Sequence, residues 1–174
     1  MKRTKNNPGT TSFLLKLLSL VPTVLLLFLI FGFSAQDGES SGSLSFEISL
    51  FFVKLASPFL PAAMSEEVLL ERAELIHYFV RKAAHMTEYF LLTLSLQLPL
   101  AAWFSDKLAP KLRIVIGFAA TVLFAALDEF HQTFVPGRSG NFTDVCIDSI
   151  GALLATLFLW TIFLLFFRHK KSTL

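Results

Sequence analysis

The chain has 174 residues, of which 54% are hydrophobic and only 16% charged, and 20 of them are Phe. That is more apolar and less charged than a soluble domain, so the composition indicates an integral membrane protein of one compact domain. The net charge of +2 reflects the chain ends and gives no case for a nucleic-acid partner, and one cysteine, Cys146, excludes an internal disulfide and a Cys-rich metal site.

Residues 1–12 form a polar tail with Lys2, Arg3 and Lys5. The apolar run Phe13 to Phe33 follows, broken only by Lys16 and Pro22. It is longer than the apolar core of a signal peptide and lacks a small-x-small cleavage site, so a retained transmembrane helix is the better reading. Ser34 to Ser43 reads as a loop. From Leu44 to Ser57, Leu44, Ile48, Phe51, Phe52 and Leu55 recur at helical spacing, with Glu47 and Lys54 on another side. The segment is short of the roughly twenty residues of a span. It suits an interfacial amphipathic helix or, nearly as well, a helix packed in the bundle. Pro58 and Pro61 end it.

Ser65 is a helix N-cap, with Glu66 and Glu67 in the first turn where the helix dipole favours acids. Helical periodicity continues through Leu69, Leu70, Ala73, Ile76 and Val80 into the apolar stretch Phe90 to Phe104, with Pro99 a point for a kink. Trp103 and Phe104 sit where interfacial anchors are expected. A basic loop, Ser105 to Arg113, leads to a third span opening at Ile114. Pro136-Gly137 turns the chain, and Asp144 to Phe167 makes a fourth span. Residues 168–174 are a basic tail. Thr143 is placed to cap the last helix, and no internal repeat is present.

The sequence therefore predicts an all-α membrane protein, a four-transmembrane-helix bundle (residues 13–167) with an interfacial amphipathic helix after the first span. Basic residues mark cytoplasmic segments. Lys2, Arg3 and Lys5, then Lys107, Lys111 and Arg113, then Arg168, Lys170 and Lys171 share one side of a four-span chain. Ser34 to Lys82 carries seven acids against four bases, which suits the outer side. The expected location is the cell membrane, multi-pass, with both tails cytoplasmic.

Each of the last three spans carries a polar stripe. Residues at i, i+3, i+4, i+7 and i+8 share a helix face. On the second span that face is His77, Arg81, His85 and Glu88, with Lys82 and Tyr89 beside it. On the third it is Asp128 and His131, with Glu129 and Gln132 adjacent. On the fourth it is Asp144, Asp148 and Gly151, with Cys146 facing away. All fall near the outer end of their spans. Ionisable residues that meet inside a membrane are a functional site by default.

The motifs Arg81-Lys82-Ala83-Ala84-His85-Met86-Thr87-Glu88-Tyr89, Asp128-Glu129-Phe130-His131-Gln132 with Phe134-Val135-Pro136-Gly137-Arg138, and Asp144-Val145 with Asp148 before Gly151 resemble the VanZ-like membrane protein family. The resemblance extends from about Phe13 to Phe167, includes the Ser34 to Gln36 end of the first span, and implies a small multi-span bacterial membrane protein. It also implies a link with low-level resistance to the glycopeptide teicoplanin, which belongs to the founding member and does not carry over residue by residue.

Three roles are open to the stripe. His85, Glu88, Asp128 and His131 are candidate ligands for a divalent metal ion, in the manner of bundle-core sites, although no complete zinc motif is present. His85, Glu88, Asp128, Glu129 and His131 are candidates for acid–base catalysis. In that role Arg81 and Arg138 would hold a lipid phosphate or pyrophosphate, and Lys82, Tyr89, Gln132, Asp144 and Asp148 would complete the substrate site. Alternatively the charges pair and hold the helices in register without chemistry. The partners expected are membrane lipids and a lipid-linked envelope precursor. The leading function is an envelope protein that binds or modifies such a substrate, and the alternative is a non-enzymatic accessory or structural protein. A proton-coupled transporter is disfavoured by the lack of repeated halves.

Overall fold

A computed structural model describes residues 12–59 and 65–169, with side chains described as far as residue 166. Lys2, Arg3, Lys5, Lys170 and Lys171, on which part of the orientation rests, and Pro61 lie outside the described residues, whereas Arg168 and His169 of the expected tail belong to the last helix. Among the described residues the chain is helical: α1 (Phe13–Ser34), α2 (Gly38–Ala56), a 3₁₀ turn at Ser57–Phe59, α3 (Glu66–Phe104), α4 (Pro110–Gln132) and α5 (Phe142–His169). Among the described residues three helices, α1, α4 and α5, are long and apolar enough to cross a membrane; α3, which carries the expected second span, is not one of them.

The exposed and buried residues are distributed as a lipid-facing bundle requires. Large apolar side chains such as Phe28, Leu123 and Leu165 lie on the surface. The interior holds Ala73, Ala125, Ala152, Ala155, Ser49, Thr93 and Thr121. Lipid is as apolar as leucine, so burying leucine gains nothing there, whereas small residues let helices approach and hydroxyls bond across them.

Helix α3 is the centre, packing against α1, α2, α4 and α5. Its 39 residues run about 58 Å at ~1.5 Å per residue. Lys82 meets Asp144 at the start of α5, and at the other end the Trp103 indole N–H donates to the Lys16 carbonyl on α1 at 3.1 Å. Between them α3 travels alongside the three apolar helices for roughly 32 Å, about one hydrocarbon thickness. Its second half is less apolar than theirs because Tyr89, Thr93 and Ser95 are buried against neighbours rather than facing lipid. Thr93 Oγ donates to Thr121 Oγ on α4 at 3.0 Å. Pro99 lies inside α3 without ending it.

The first half of α3 carries α2. Leu44, Ser45 and Ile48 face Val80, Arg81 and Ala84, while Val53 and Ala56 face Arg72, Leu75 and Ile76. The two helices are thus antiparallel; α2 buries Ser45, Ser49 and Val53 and leaves Leu44, Ile48, Phe51, Phe52 and Leu55 exposed, so it is packed on α3 along one side and carries an apolar face on the other.

Several boundaries differ from the sequence reading. Helix α2 begins at Gly38, inside the expected loop. The Asp37 carboxylate caps it, accepting the Ser40 N–H at 2.7 Å and the Ser40 hydroxyl at 3.0 Å, which holds that carboxyl below its usual pKa. Pro110 opens α4 four residues earlier than expected; it stands at the first helical position, where a missing N–H costs nothing. Ser65 caps α3 as expected, its hydroxyl accepting the Val68 N–H. Thr143 does not cap α5. The Asn141 side-chain oxygen accepts the Thr143 N–H at 3.0 Å, so the cap is Asn141.

Gly151 sets the α3–α5 approach, because a Cβ there would overlap the Met86 carbonyl. The obstacle is backbone, so relief requires the helices to part. Gly151→Ala should cost about 1–3 kcal/mol, read as a lower melting temperature in detergent. Gly32→Ala, with nothing within 4 Å of its Cβ position, should leave it unchanged.

Candidate functional site

The site lies at the end of the bundle where the α1–α2 and α4–α5 turns meet. Two glycines close that end. Gly38 donates its N–H to the Pro136 carbonyl at 3.1 Å, and Gly137 adopts φ +69°, a region that costs other residues strain. A Cβ on Gly38 would collide with the Gly137 carbonyl. Pro136-Gly137 is thus the turn expected, and it aims Arg138 inward.

Arg138 is the clamp of this end. Its Nε donates to the Gln36 carbonyl at 2.7 Å, one terminal nitrogen to the Phe33 carbonyl at 2.6 Å, and the other to Gln132 Oε1 at 3.1 Å. The first two acceptors lie at the C-terminal end of α1, where carbonyls lack helical partners and attract cations. Burial, and next the Arg81 charge, lower the Arg138 pKa from its ordinary value.

From Arg138 the bonds continue inward. Gln132 Nε2 donates to Asp128 Oδ2 and to Glu129 Oε1, each at 3.2 Å. Tyr89 on α3 donates its hydroxyl to Asp128 Oδ2 at 3.1 Å, and Glu129 Oε2 accepts the Asn141 N–H at 3.0 Å. Lys82 separately bonds Asp144 at 2.5 Å and lies 5.3 Å from the Tyr78 ring centre. These contacts tie α1, α3, α4 and α5 together. They engage six of the twelve candidate residues besides Arg138: Lys82, Tyr89, Asp128, Glu129, Gln132 and Asp144.

The remaining candidates divide. His131 stands against the Phe31 ring, centroids 4.8 Å apart, and lines neither cavity described below. Arg81, His85, Glu88 and Asp148 stay together and uncommitted. Asp148 is 1% exposed, yet neither carboxylate oxygen has a hydrogen-bond partner, and the buried Arg81 Nε also lacks one. The His85 ring nitrogen Nδ1 lies 3.9 Å from Asp148 Oδ1 and 4.0 Å from Glu88 Oε2, beyond hydrogen-bond length. Buried groups normally find partners, and leaving one without costs about 1–3 kcal/mol. An imidazole between two carboxylates, with a guanidinium one helical turn away, can pass a proton and hold an anion.

Two cavities meet at Arg81 and Arg138, and Asp148 lines neither. The first encloses about 180 Å³ between α2 and α3; Leu44, Ile48 and Val80 line it, with Arg81, His85, Glu88 and Arg138 at its polar end. The second, about 150 Å³, is lined by Tyr78, Lys82, Gln132, Ser139 and Asp144, and again by Arg81 and Arg138. The metal candidates fare differently. Among the described residues no three His, Cys, Asp or Glu side chains are grouped to hold a metal ion; Asp128 is bonded to Tyr89 and Gln132, and His131 faces Phe31.

Sequence reasoning missed Leu44 and Ile48 as cavity walls, because their helix was read as interfacial. The family resemblance includes Ser34 to Gln36, but the role of the Phe33 and Gln36 carbonyls as acceptors for Arg138 is marked by no side-chain pattern. Cys146 is exposed, as its offset from Asp148 required.

Fold and site together define a multi-pass α-helical membrane protein with a buried ionisable group at one end of the bundle. The family model VanZ/LLP1 matches residues 19–166, which takes in α2, α3, α4 and most of α1 and α5. The chain belongs to that family. No curated protein and no solved structure matches it.

Proposed function

We propose that the chain binds a lipid-linked surface substrate at the outer face of the cytoplasmic membrane, with Arg81 on its anionic linkage and His85, Glu88 and Asp148 moving a proton beside it. The observation that carries this reading is the set of buried polar atoms without hydrogen-bond partners at this end of the bundle, Arg81 Nε and both oxygens of Asp148 above all, with Asp128 Oδ1 and His131 Nδ1 beside them. In this reading the second half of α3 is the fourth span, supported by its path alongside α1, α4 and α5. Both tails are cytoplasmic, supported by the basic residues of residues 105–113 and of the two tails.

A second reading has a specific observation behind it. The bonds of Arg138, Gln132, Asp128, Glu129 and Tyr89 join four helices, which supports a role in holding the bundle together. Glu88→Gln separates the two, since Glu88 has no hydrogen bond in the structure. In cells carrying that variant at normal membrane level, the lipid-linked envelope profile and teicoplanin susceptibility should match those of cells lacking the gene. A profile and susceptibility identical to wild type would overturn the proton-transfer role and favour the accessory reading.

A further inference from the structure

The two cavities share a wall and differ in chemistry, and that difference orders a ligand. The cavity under α2 is walled by Leu44, Ile48 and Val80, with the two arginines, His85 and one acid, Glu88, also lining it. Leu44 and Ile48 are each 39% exposed, so it opens on the surface between α2 and α3. At about 180 Å³ it is smaller than the roughly 300–1,000 Å³ of a pocket for a whole ligand. It suits one segment of an apolar chain whose remainder lies in lipid. The cavity beyond the arginines is lined by Tyr78, Lys82, Gln132, Ser139 and Asp144, which offer hydroxyls, an amide and a charge pair.

Charge decides what the middle of such a ligand carries. Lys82 is neutralised by Asp144 at 2.5 Å. Arg81 makes no ion pair or hydrogen bond among the described residues, and its Nε is buried without an acceptor. Arg138 uses three of its five N–H groups on protein oxygens. The positive charge is therefore concentrated at the junction of the cavities, not at the far end of either. We infer that the ligand is an anionic membrane lipid whose phosphate sits at Arg81 and carries a further uncharged, hydroxylated substituent, its chain under α2 and that substituent between Tyr78 and Ser139. A lipid ending in a bare phosphate would leave the second cavity empty. This rests on the lipid-binding reading above and narrows it to a phosphate esterified on both sides.

The full-length protein, delipidated in detergent, can be titrated with phosphatidylglycerol, phosphatidic acid and diacylglycerol of equal chain length, with binding read by native mass spectrometry. Phosphatidylglycerol should bind about tenfold tighter than diacylglycerol and several-fold tighter than phosphatidic acid, despite the greater charge of the latter. Ser139→Trp, on an exposed loop residue, should bring phosphatidylglycerol down to the level of phosphatidic acid and leave the latter unchanged. Arg81→Gln should erase the advantage of both phospholipids over diacylglycerol. Equal binding of the two phospholipids by wild type, with the Arg81→Gln loss intact, would overturn the substituent and leave the lipid-phosphate reading standing. Retention of all three lipids alike by wild type and by Arg81→Gln would overturn both.

Discussion

Replacing Asp148 by valine is expected to make the protein more stable and inactive. Both carboxylate oxygens of Asp148 are buried without a hydrogen-bond partner, and the side chain is 1% exposed. An unpartnered buried polar group costs about 1–3 kcal/mol, and an apolar replacement removes that cost, His85 being too far at 3.9 Å to lose a hydrogen bond. Valine removes the polar atoms at similar volume, while its β-branching costs only a few tenths of a kcal/mol in a helix. The net gain of about 1–2 kcal/mol corresponds to a rise of a few degrees in melting temperature for a chain of this size. The lipid-profile phenotype should be lost in the same variant. A lower melting temperature would mean that Asp148 holds the helices together, and the case for it as a group retained for function would collapse. The opposed signs matter here, because a purely structural residue cannot raise stability and abolish activity when it is removed.

Arg138 should behave in the opposite way. Its three bonds reach two carbonyls at the end of α1 and the amide of Gln132. Bonds from a charged donor contribute about 1.5–3 kcal/mol each, and partial exposure reduces the sum to about 3–5 kcal/mol. That is a large share of the ~5–15 kcal/mol by which a domain is stable. Arg138→Ala is thus expected to free the end of α1 and expose the α1–α2 turn to protease. Arg138→Lys should rescue little, since an ammonium cannot reproduce the planar fork that serves three acceptors. Limited proteolysis and thermal melting in detergent measure both effects. A wild-type melting temperature for Arg138→Lys would show that the clamp contributes nothing and return Arg138 to a role in ligand binding alone.

The contrast between these residues shows what could and could not be read from the chain. Arg81, His85, Glu88, Asp128 and Asp148 were all legible as a polar stripe, since helical spacing alone puts them on shared faces. Their division into engaged and uncommitted groups was not. It depends on which helix comes near which: Gly151 brings α5 against Met86, and the Gly38–Gly137 contact brings the α1–α2 turn against the α4–α5 turn. The start of α2 was hidden for a related reason. Residues 38–43 are glycine, serine and glutamate, without apolar periodicity, and they become helical through the Asp37 cap and the packing of α2 along α3. The second half of α3 was expected to be a span from its apolar run, yet α3 is not among the helices apolar enough to cross a membrane, because polar residues such as Glu88, Thr93 and Gln97 flank or interrupt that run.

The sequence by itself determined the helical class, the membrane character, the family and the set of ionisable residues at one end of the bundle. Those properties follow from apolar run length, helical periodicity and motif order, which are local to the chain. Only the tertiary structure decided that Arg138 clamps α1, that Asp128 and Glu129 are bonded, that His131 faces Phe31, that Arg81 stands between two cavities and that Asp148 is buried beside His85 without a hydrogen bond. Hydrogen bonds reach only about 3 Å. Which donor meets which acceptor is therefore fixed by the separation of helices, and that separation is set by glycine contacts between segments far apart in the chain.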